Sequence, residues 1–344
     1  MVVKMTEREN LLRVLHGQEP GWVPRFGSRP SDADPGYPFA HMQVMPAILA
    51  GTVLPNGGRT DIFGVEYEPT ESAGGEMLPK PGKFILDDIS KWRDIIKVPS
   101  LEGIDWEDMA KKATEHIDRR VTAVSMSTGG GYFQLLTNFM GFTEGLCALQ
   151  EEPDMVLELL EYLSTFYETV AKNLIDYIKP DLYNIGDDNA TARSPFISRE
   201  MYQKLFKPYH TRAMQFAIDR GLPINMHNCG RCEDFIEDWR DFHVSAWNPA
   251  QVMNDLTGIK EKYGNSLVLI GCWDSSGPAG WSGSSEEFVR SEVRRCIDTF
   301  APGGGFCFWA SVLGPKDNPE IYNRSRWIID EYNKYGRTFY QRLG

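Results

Sequence analysis

The chain has 344 residues, 42% of them hydrophobic, which is enough to bury the core of one large barrel as readily as two ordinary domains. Its 36 basic side chains against 48 acidic ones give a formal net charge of −12, which argues against a surface built to neutralise nucleic-acid phosphates. Six cysteines are too few for a disulfide scaffold at this length, so we expect free thiols used for packing or chemistry.

The amino-terminal segment predicts neither a membrane anchor nor a targeting sequence. No run approaches the ~18 apolar residues of a membrane span, and Met1 to Glu9 lacks the apolar region of a signal peptide. We therefore expect a cytoplasmic protein that does not bind membranes.

The first predicted elements are a helix and a strand. Thr6 has the position of a helix N-cap with Glu9 three residues later, and leucines follow at helical spacing. Trp22–Phe26 is a short apolar run of strand length after glycine and proline breakers, and it predicts the first barrel strand. The stretch from Ser28 to Pro99 is rich in Gly and Pro, and it predicts loops and irregular elements that cover one barrel mouth.

From Ser100 onward, strand-like runs alternate with helical stretches. The predicted strands are Val121–Met126, Leu182–Gly186, Pro223–His227, Val244–Asn248, Leu267–Gly271 and Phe306–Ala310. The clearest predicted helices are Pro153–Ile178, Ser198–Arg220 and Glu286–Phe300. With Trp22–Phe26 these strands number seven, and an eighth is expected between Ile62 and Leu86.

This alternation predicts parallel strands joined by crossover helices. No G-x-G-x-x-G fingerprint follows a strand, and Gly129–Gly131 is only a glycine-rich turn, so a nucleotide-binding open sheet is disfavoured. The predicted fold is α/β, a (β/α)8 TIM barrel. We expect a single domain over residues 1–344 with an N-terminal helical and loop extension, because no linker or low-complexity segment interrupts the chain.

The predicted strand ends carry a candidate metal site, since barrel enzymes build their sites there. His227 and Cys229 alternate at one strand end and share a face, so an imidazole and a thiolate could bind one zinc ion. Cys272 follows another strand and is the expected third ligand, with Cys307 as the alternative. The competing interpretation is a hydrogen-bonded core histidine with buried thiols. Cys229 and Cys232 also match a C-x-x-C redox pair, but Cys232 fits the start of a helix better.

Other polar residues at the strand ends are candidates for catalysis and substrate binding. Asp187 and Asp188 could donate and accept protons, because adjacent carboxylates push their pKa values apart. The alternative for one of them is a helix N-cap with a solvated neighbour. The predicted substrate-binding residues are Arg25, Asn248, Asp274, Trp309 and Ser311.

The chain resembles the uroporphyrinogen decarboxylase superfamily, which includes cobamide-dependent methyltransferases, almost from end to end. The segments that carry the resemblance are Thr6–Gly17, Asp61–Glu66, Gly186–Asp188, His227–Gly230, Trp247–Pro249 and Pro302–Phe306. Within the superfamily, His227-Asn-Cys-Gly230 is similar to the zinc-binding pair of the methyltransferase branch. The segment Arg25 to Asp32 lacks the Arg-rich motif by which the decarboxylases hold substrate carboxylates.

The resemblance implies a zinc-dependent methyltransferase. Such an enzyme moves a methyl group between a corrinoid, carried by a partner protein, and a small substrate such as a thiol, folate or methoxylated aromatic. In that branch the distant cysteine ligand follows the last strand, where this chain has Ser311 and Val312, so Cys272 or Cys307 would have to replace it.

The alternative function is a metal-free decarboxylase or lyase of the uroporphyrinogen decarboxylase type, with Asp187, Asp188 and Asp274 handling protons. A barrel that binds a ligand without catalysis is a third interpretation. The sequence leaves the substrate, the direction of transfer and the oligomeric state open.

Overall fold

The computed structural model describes residues 5–26, 40–70, 75–314 and 318–343. Its strands are β1 His41–Val44, β2 Thr52–Val53, β3 Arg59–Thr60, β4 Glu66–Thr70, β5 Glu76–Pro79, β6 Ala123–Met126, β7 Leu182–Gly186, β8 Ile224–His227, β9 Val244–Ala250, β10 Val268–Gly271 and β11 Phe306–Phe308. Its helices are α1 Glu7–Leu15, α2 Trp92–Ile95, α3 Trp106–Thr114, α4 Tyr132–Met140, α5 Phe142–Glu151, α6 Pro153–Ile178, α7 Arg199–Leu205, α8 Lys207–Ile218, α9 Ile236–Asp241, α10 Leu256–Tyr263, α11 Glu286–Phe300 and α12 Pro319–Tyr335.

A curled parallel sheet of seven strands forms the centre of the fold, in the order β1-β6-β7-β8-β9-β10-β11. Every pairing along it is parallel, as expected for strands connected by crossover helices. This confirms the α/β class and a TIM-barrel-like arrangement. Within the described ranges, strand pairing does not join β1 to β11, so what the structure shows is a half-barrel and not the predicted closed ring.

The two edges of this sheet nevertheless approach each other. Arg25 makes an isolated parallel bridge to Phe308 of β11, so the predicted first strand, Trp22–Phe26, lies beside the last one. The next residue, Phe26, stacks on His41 of β1 with ring centroids 3.9 Å apart. The segment around Arg25 therefore occupies the space between the two edges.

The eighth strand was predicted in the wrong place. The region between Ile62 and Leu86 contributes β4 and β5 to a separate antiparallel sheet of order β2-β3-β4-β5. The additional parallel strand is instead β1, within a stretch whose glycines and prolines concealed it. Residues 27–39 and 71–74 of this predicted loop region lie outside the described residues.

The helices follow from local sequence signals. Thr6 accepts a hydrogen bond from the Glu9 amide (3.2 Å) and caps α1, as predicted. The helices α6 and α11 have the predicted bounds. The predicted helix Ser198–Arg220 is divided into α7 and α8 at Phe206, because Pro208 in the first turn of α8 lacks an amide proton and cannot continue the preceding helix.

The hydrophobic core has two layers, one on each face of the parallel sheet. The larger layer lies between the sheet and the surrounding helices. The smaller one fills the inner face and combines residues of β6, β7, β9, β10 and β11, together with Phe26 and Ala40, with Leu11, Val14 and Leu15 of α1. Helix α1 therefore closes the amino-terminal end of the sheet, and the carboxyl ends of the strands are the open side. Among the described residues, no helix is both long and apolar enough to cross a membrane.

Candidate metal centre

Three adjacent strands of the parallel sheet bring the candidate metal ligands together. In the strand register, Gly186 at the end of β7 lies beside His227 at the end of β8, which lies beside Asn248 of β9. Asp188 follows β7 and Cys229 follows β8, so both side chains begin at the same edge of the sheet.

Asp188, His227 and Cys229 offer one oxygen, one nitrogen and one sulfur atom, all within 4.8 Å of one another. The His227 Nε2 atom lies 3.7 Å from Asp188 Oδ1 and 3.8 Å from Cys229 Sγ. Ligand atoms around a tetrahedral zinc ion at ~2.0–2.3 Å are about 3.3–3.6 Å apart. The two separations from His227 are thus within a few tenths of an ångström of those around a zinc ion, and the third lies within 4.8 Å. A fourth position would remain for substrate.

Asn248 holds the His227 ring in the orientation that a metal needs. Its Oδ1 atom accepts a hydrogen bond from His227 Nδ1 over 2.8 Å. With the proton on Nδ1, the Nε2 lone pair faces Asp188 and Cys229. Asn248 was predicted as a substrate-binding residue, and its described contact is with the histidine.

The Cys229 thiol lies in a half-buried position beside a carboxylate. Burial, together with the Asp188 charge, raises the pKa of this thiol well above its usual value. Without a cation the sulfur is therefore protonated at neutral pH, and a bound metal would have to displace the proton. The backbone amide of Cys229 also donates to Asp188 Oδ1 over 2.8 Å, which fixes the carboxylate beside the sulfur.

The two adjacent aspartates have different environments. Asp188 is partly exposed, and its second oxygen accepts a hydrogen bond from Gln134 Nε2 (3.2 Å). Asp187 is fully buried and accepts hydrogen bonds from the amides of Phe133 and Gln134 in the first turn of α4. Asp187 thus caps this helix from another element, whereas the N-cap residue of α4 is Gly131. It also lies 3.3 Å from the Nε2 atom of buried His210.

The structure does not bring Cys272 or Cys307 to the pair of His227 and Cys229. Cys272 is fully buried in the layer that faces the helices, and the Cys296 thiol of α11 donates to its carbonyl oxygen over 3.4 Å. Gly271 and Cys272 have φ values of +116° and +57°, so the strand alternation is broken and Cys272 turns away from the inner face. Cys307 does face inward, but it is fully buried in the inner core layer with α1.

The remaining predicted substrate-binding residues lie on the other side of the open end. Asp274 accepts a hydrogen bond from the Ser276 amide (3.2 Å), and the hydroxyls of Ser275 and Ser311 are 3.0 Å apart. Trp309 follows β11 and packs partly buried against the inner core layer, and Arg25 lies beside the same strand. These four residues lie around the ends of β10 and β11, and β10 pairs with β9.

Several contributors to the site gave little signal in the sequence. Gln134 follows the glycine turn, where Gly129 and Gly130 adopt φ values of +113° and +104° that only glycine adopts readily. A Cβ atom at Gly131 would lie 2.9 Å from the carbonyl oxygen of Gly186, so this turn packs directly on the end of β7. In the sequence, the only hint of this arrangement is the run of three glycines before Gln134. The contact between this turn and the end of β7 becomes visible only in the structure.

Comparison with known proteins gives a family and a fold. The family model for uroporphyrinogen decarboxylase (URO-D) matches residues 61–311, which include all three candidate ligands. A solved structure described as a methyltransferase from Methanosarcina mazei superposes with a TM-score of 0.60 at 14% sequence identity, covering 96% of this chain and 99% of the other. At that identity the likeness establishes the fold alone. No curated protein matches the sequence.

Proposed function

Because the chain belongs to the uroporphyrinogen decarboxylase family, we propose that it is a zinc-dependent methyltransferase of that family. It moves a methyl group between a corrinoid, carried by a separate protein, and a small substrate such as a thiol, a folate or a methoxylated aromatic. The observation that carries the proposal is the convergence of Asp188, His227 and Cys229 at the open end of the sheet. The methyltransferase fold of the Methanosarcina mazei protein supports it.

In this proposal the third ligand is the Asp188 carboxylate. Zinc bound by one oxygen, one nitrogen and one sulfur atom would supply Lewis acidity, which lowers the pKa of a thiol substrate or polarises an ether oxygen. Asn248 keeps the Nε2 lone pair of His227 directed at the ion, and the Cys229 amide keeps Asp188 in place. Gln134 holds the other carboxylate oxygen and restricts Asp188 to one orientation.

The open end of the sheet is where substrate and partner must meet in this proposal. The side chains of His227 and Asp188 are 45% and 31% exposed, so the ligands are reachable from solvent. The residues around β11, namely Arg25, Asp274, Trp309 and Ser311, are proposed to contact the substrate from the opposite side. A corrinoid protein would dock over the same opening.

Metal content of the purified protein and of single variants tests the proposal. We expect about one zinc per chain, and His227→Ala, Cys229→Ser and Asp188→Asn should each weaken zinc binding at least about 10-fold. Cys272→Ser and Cys232→Ser are matched controls, because both thiols are buried outside the ligand group and their variants should keep the metal. Retention of zinc by Asp188→Asn alone would remove Asp188 from the ligand set.

Activity measurements separate the proposed function from its alternative. The zinc-loaded protein should transfer the methyl group of methylcobalamin to an added thiol, and Cys229→Ser should abolish that transfer. Two results would overturn the proposal in favour of a metal-free decarboxylase. One is that all variants retain zinc equally, and the other is that the protein alone releases carbon dioxide from a porphyrinogen. In that case Asp188 would remain the most accessible carboxylate of the pair.

A further inference from the structure

A row of three amide side chains crosses the inner face of the sheet next to the candidate metal centre. It comprises Gln43 on β1, Asn184 on β7 and Asn225 on β8. Asn225 Nδ2 donates to Asn184 Oδ1 over 3.1 Å, and Asn184 Nδ2 donates to Gln43 Oε1 over 3.4 Å. Ser125 of β6, the strand between β1 and β7, is small enough for Gln43 to reach across to Asn184.

The row has one direction, which determines what Gln43 offers to a ligand. Each amide group donates to the oxygen of the next, so the Gln43 oxygen is already used by Asn184. The two N–H groups of Gln43 then remain available as donors to a ligand. Gln43 is exposed although it lies on the inner face of β1, whereas Asn184 and Asn225 are 7% and 2% exposed. Two buried amides therefore hold one exposed hydrogen-bond donor in a fixed orientation.

The buried end of the row has an unpaired hydrogen-bond acceptor. Asn225 Oδ1 is buried and has no hydrogen-bond partner among the described residues. An unpaired buried acceptor costs about 1–3 kcal/mol unless water or a ligand supplies a proton donor. Asn225 and His227 alternate on the same face of β8, so this acceptor lies one strand repeat, roughly 7 Å, from the candidate metal ligand.

We propose that Gln43, Asn184 and Asn225 form a specificity site that binds a neutral carboxamide or comparable carbonyl group of the substrate. This inference rests on the proposed function, since the substrate's reacting atom would lie at the metal. Gln43 donates a hydrogen bond to the carbonyl oxygen, and Asn184 and Asn225 act as positioning residues. None of the three amides carries a charge, so the row itself offers a carboxylate no counter-ion for the hydration that it would lose.

Calorimetric binding of matched thiols tests this assignment on the whole protein, both metal-free and zinc-loaded. The probes are 4-mercaptobutanamide, 4-mercaptobutanoate and 4-aminobutane-1-thiol, which differ only in the group at the far end. The wild-type protein should bind the amide most tightly. One neutral hydrogen bond corresponds to about 0.5–1.5 kcal/mol, so we expect a preference of about 2- to 10-fold over the other two probes.

The variant Gln43→Glu should bind the ammonium probe more tightly than the amide probe. The new carboxylate attracts the ammonium group, repels the butanoate and can no longer donate to a carbonyl. Gln150→Glu is the matched control, since it makes the same chemical change at an exposed position of α5 and should keep the wild-type order. Asn225→Leu, which removes the buried end of the row, should weaken the preference for the amide.

The outcomes distinguish this inference from the proposed function. If Gln43→Glu binds the three probes in the same order as the wild-type protein, the specificity site is overturned, whatever the metal content. Zinc binding with no preference for the amide would also overturn it while leaving the methyltransferase proposal intact. A preference for the amide in the metal-free protein that Gln43→Glu reverses would support the specificity site even if zinc never bound.

Discussion

His41 is a buried histidine whose protonation opposes folding. Its ring stacks on Phe26, and within the described part of the chain its Nδ1 atom has no hydrogen-bond partner. Burial lowers the pKa of His41 from 6.5 to about 4, because the charged form would lose its hydration. Between these two values the unfolded chain binds a proton that the folded protein does not. The free energy of unfolding should therefore fall as the pH falls through this window.

The first prediction uses that linkage. From pH 7 to pH 4 the wild-type protein should lose about 2–3 kcal/mol more stability than His41→Phe, since each pKa unit corresponds to about 1.4 kcal/mol. Urea unfolding of both proteins at several pH values measures the difference. Parallel stability curves for the two proteins would show that His41 does not contribute to acid sensitivity.

The candidate ligands show what single residues can and cannot reveal from sequence. His227 and Cys229 could be paired because side chains two apart on a strand share a face. The same rule failed for Cys272, where two consecutive residues with positive φ reverse the alternation after β10. Asp188 was predicted as a functional residue because it is polar and follows a strand. Its neighbour Asp187 meets the same two criteria. Only the three-dimensional contacts separate a buried helix cap from a carboxylate that faces the histidine.

At the scale of elements, α4 depends on a side chain from another element for its cap. Gly131, at the N-cap position, has no side chain, and Asp187 from the end of β7 accepts the amide protons of Phe133 and Gln134 in its place. A carboxylate at this end also interacts favourably with the helix dipole. This contact attaches α4, and with it Gln134, to the strand that leads to Asp188.

The second prediction follows from this cap. Asp187→Ala should lower the free energy of unfolding by about 2–4 kcal/mol, since two charge-assisted hydrogen bonds are lost and His210 loses a buried neighbour. Asp188→Ala, one residue away and partly exposed, should cost less than half as much. Urea unfolding at neutral pH compares the two, and equal losses would contradict the different roles assigned to them.

A third prediction concerns α1, the helix that closes the amino-terminal end of the sheet. Leu11 is fully buried in the inner core layer, where α1 meets residues of the strands. Leu11→Ala should destabilise the protein by about 2–5 kcal/mol through lost burial and the cavity left behind. Leu12→Ala is the control, because this neighbour is only partly buried against the same layer and should cost clearly less. A larger loss for Leu12→Ala would mean that α1 packs through its other face.

For the whole molecule, the alternation of strands and helices after Ser100 was sufficient to predict a parallel sheet, and the bounds of α6 and α11 were predicted correctly. The amino-terminal third was less predictable. Among the residues described there, the parallel strand β1 is four residues long and is followed by two strands of only two residues each, so hydrophobic periodicity had too few positions to act on. Pairing with distant strands defines β1, and its own sequence does not.

The fourth prediction is that the protein unfolds as one unit. The larger core layer contains residues from Val23 to Phe339, and it joins the antiparallel sheet, through Tyr67, to the helices around the parallel sheet. A core shared in this way predicts a single cooperative transition. Far-ultraviolet circular dichroism and tryptophan fluorescence should give coincident urea curves. Two separated transitions would indicate that the chain forms more than one domain.

The position of the candidate ligands on three neighbouring strands has an evolutionary consequence. Asp188, His227, Cys229 and the orienting Asn248 lie at or close to the ends of β7, β8 and β9, so the two registers between these strands set where their side chains begin. Mutations at the ends of β1, β10 and β11, near the proposed substrate-binding residues, should therefore disturb the candidate ligands little. Under the proposed function, such a separation would let descendants of one ancestor acquire new substrates by neutral drift in one half of the opening, while the other half retains the same chemistry.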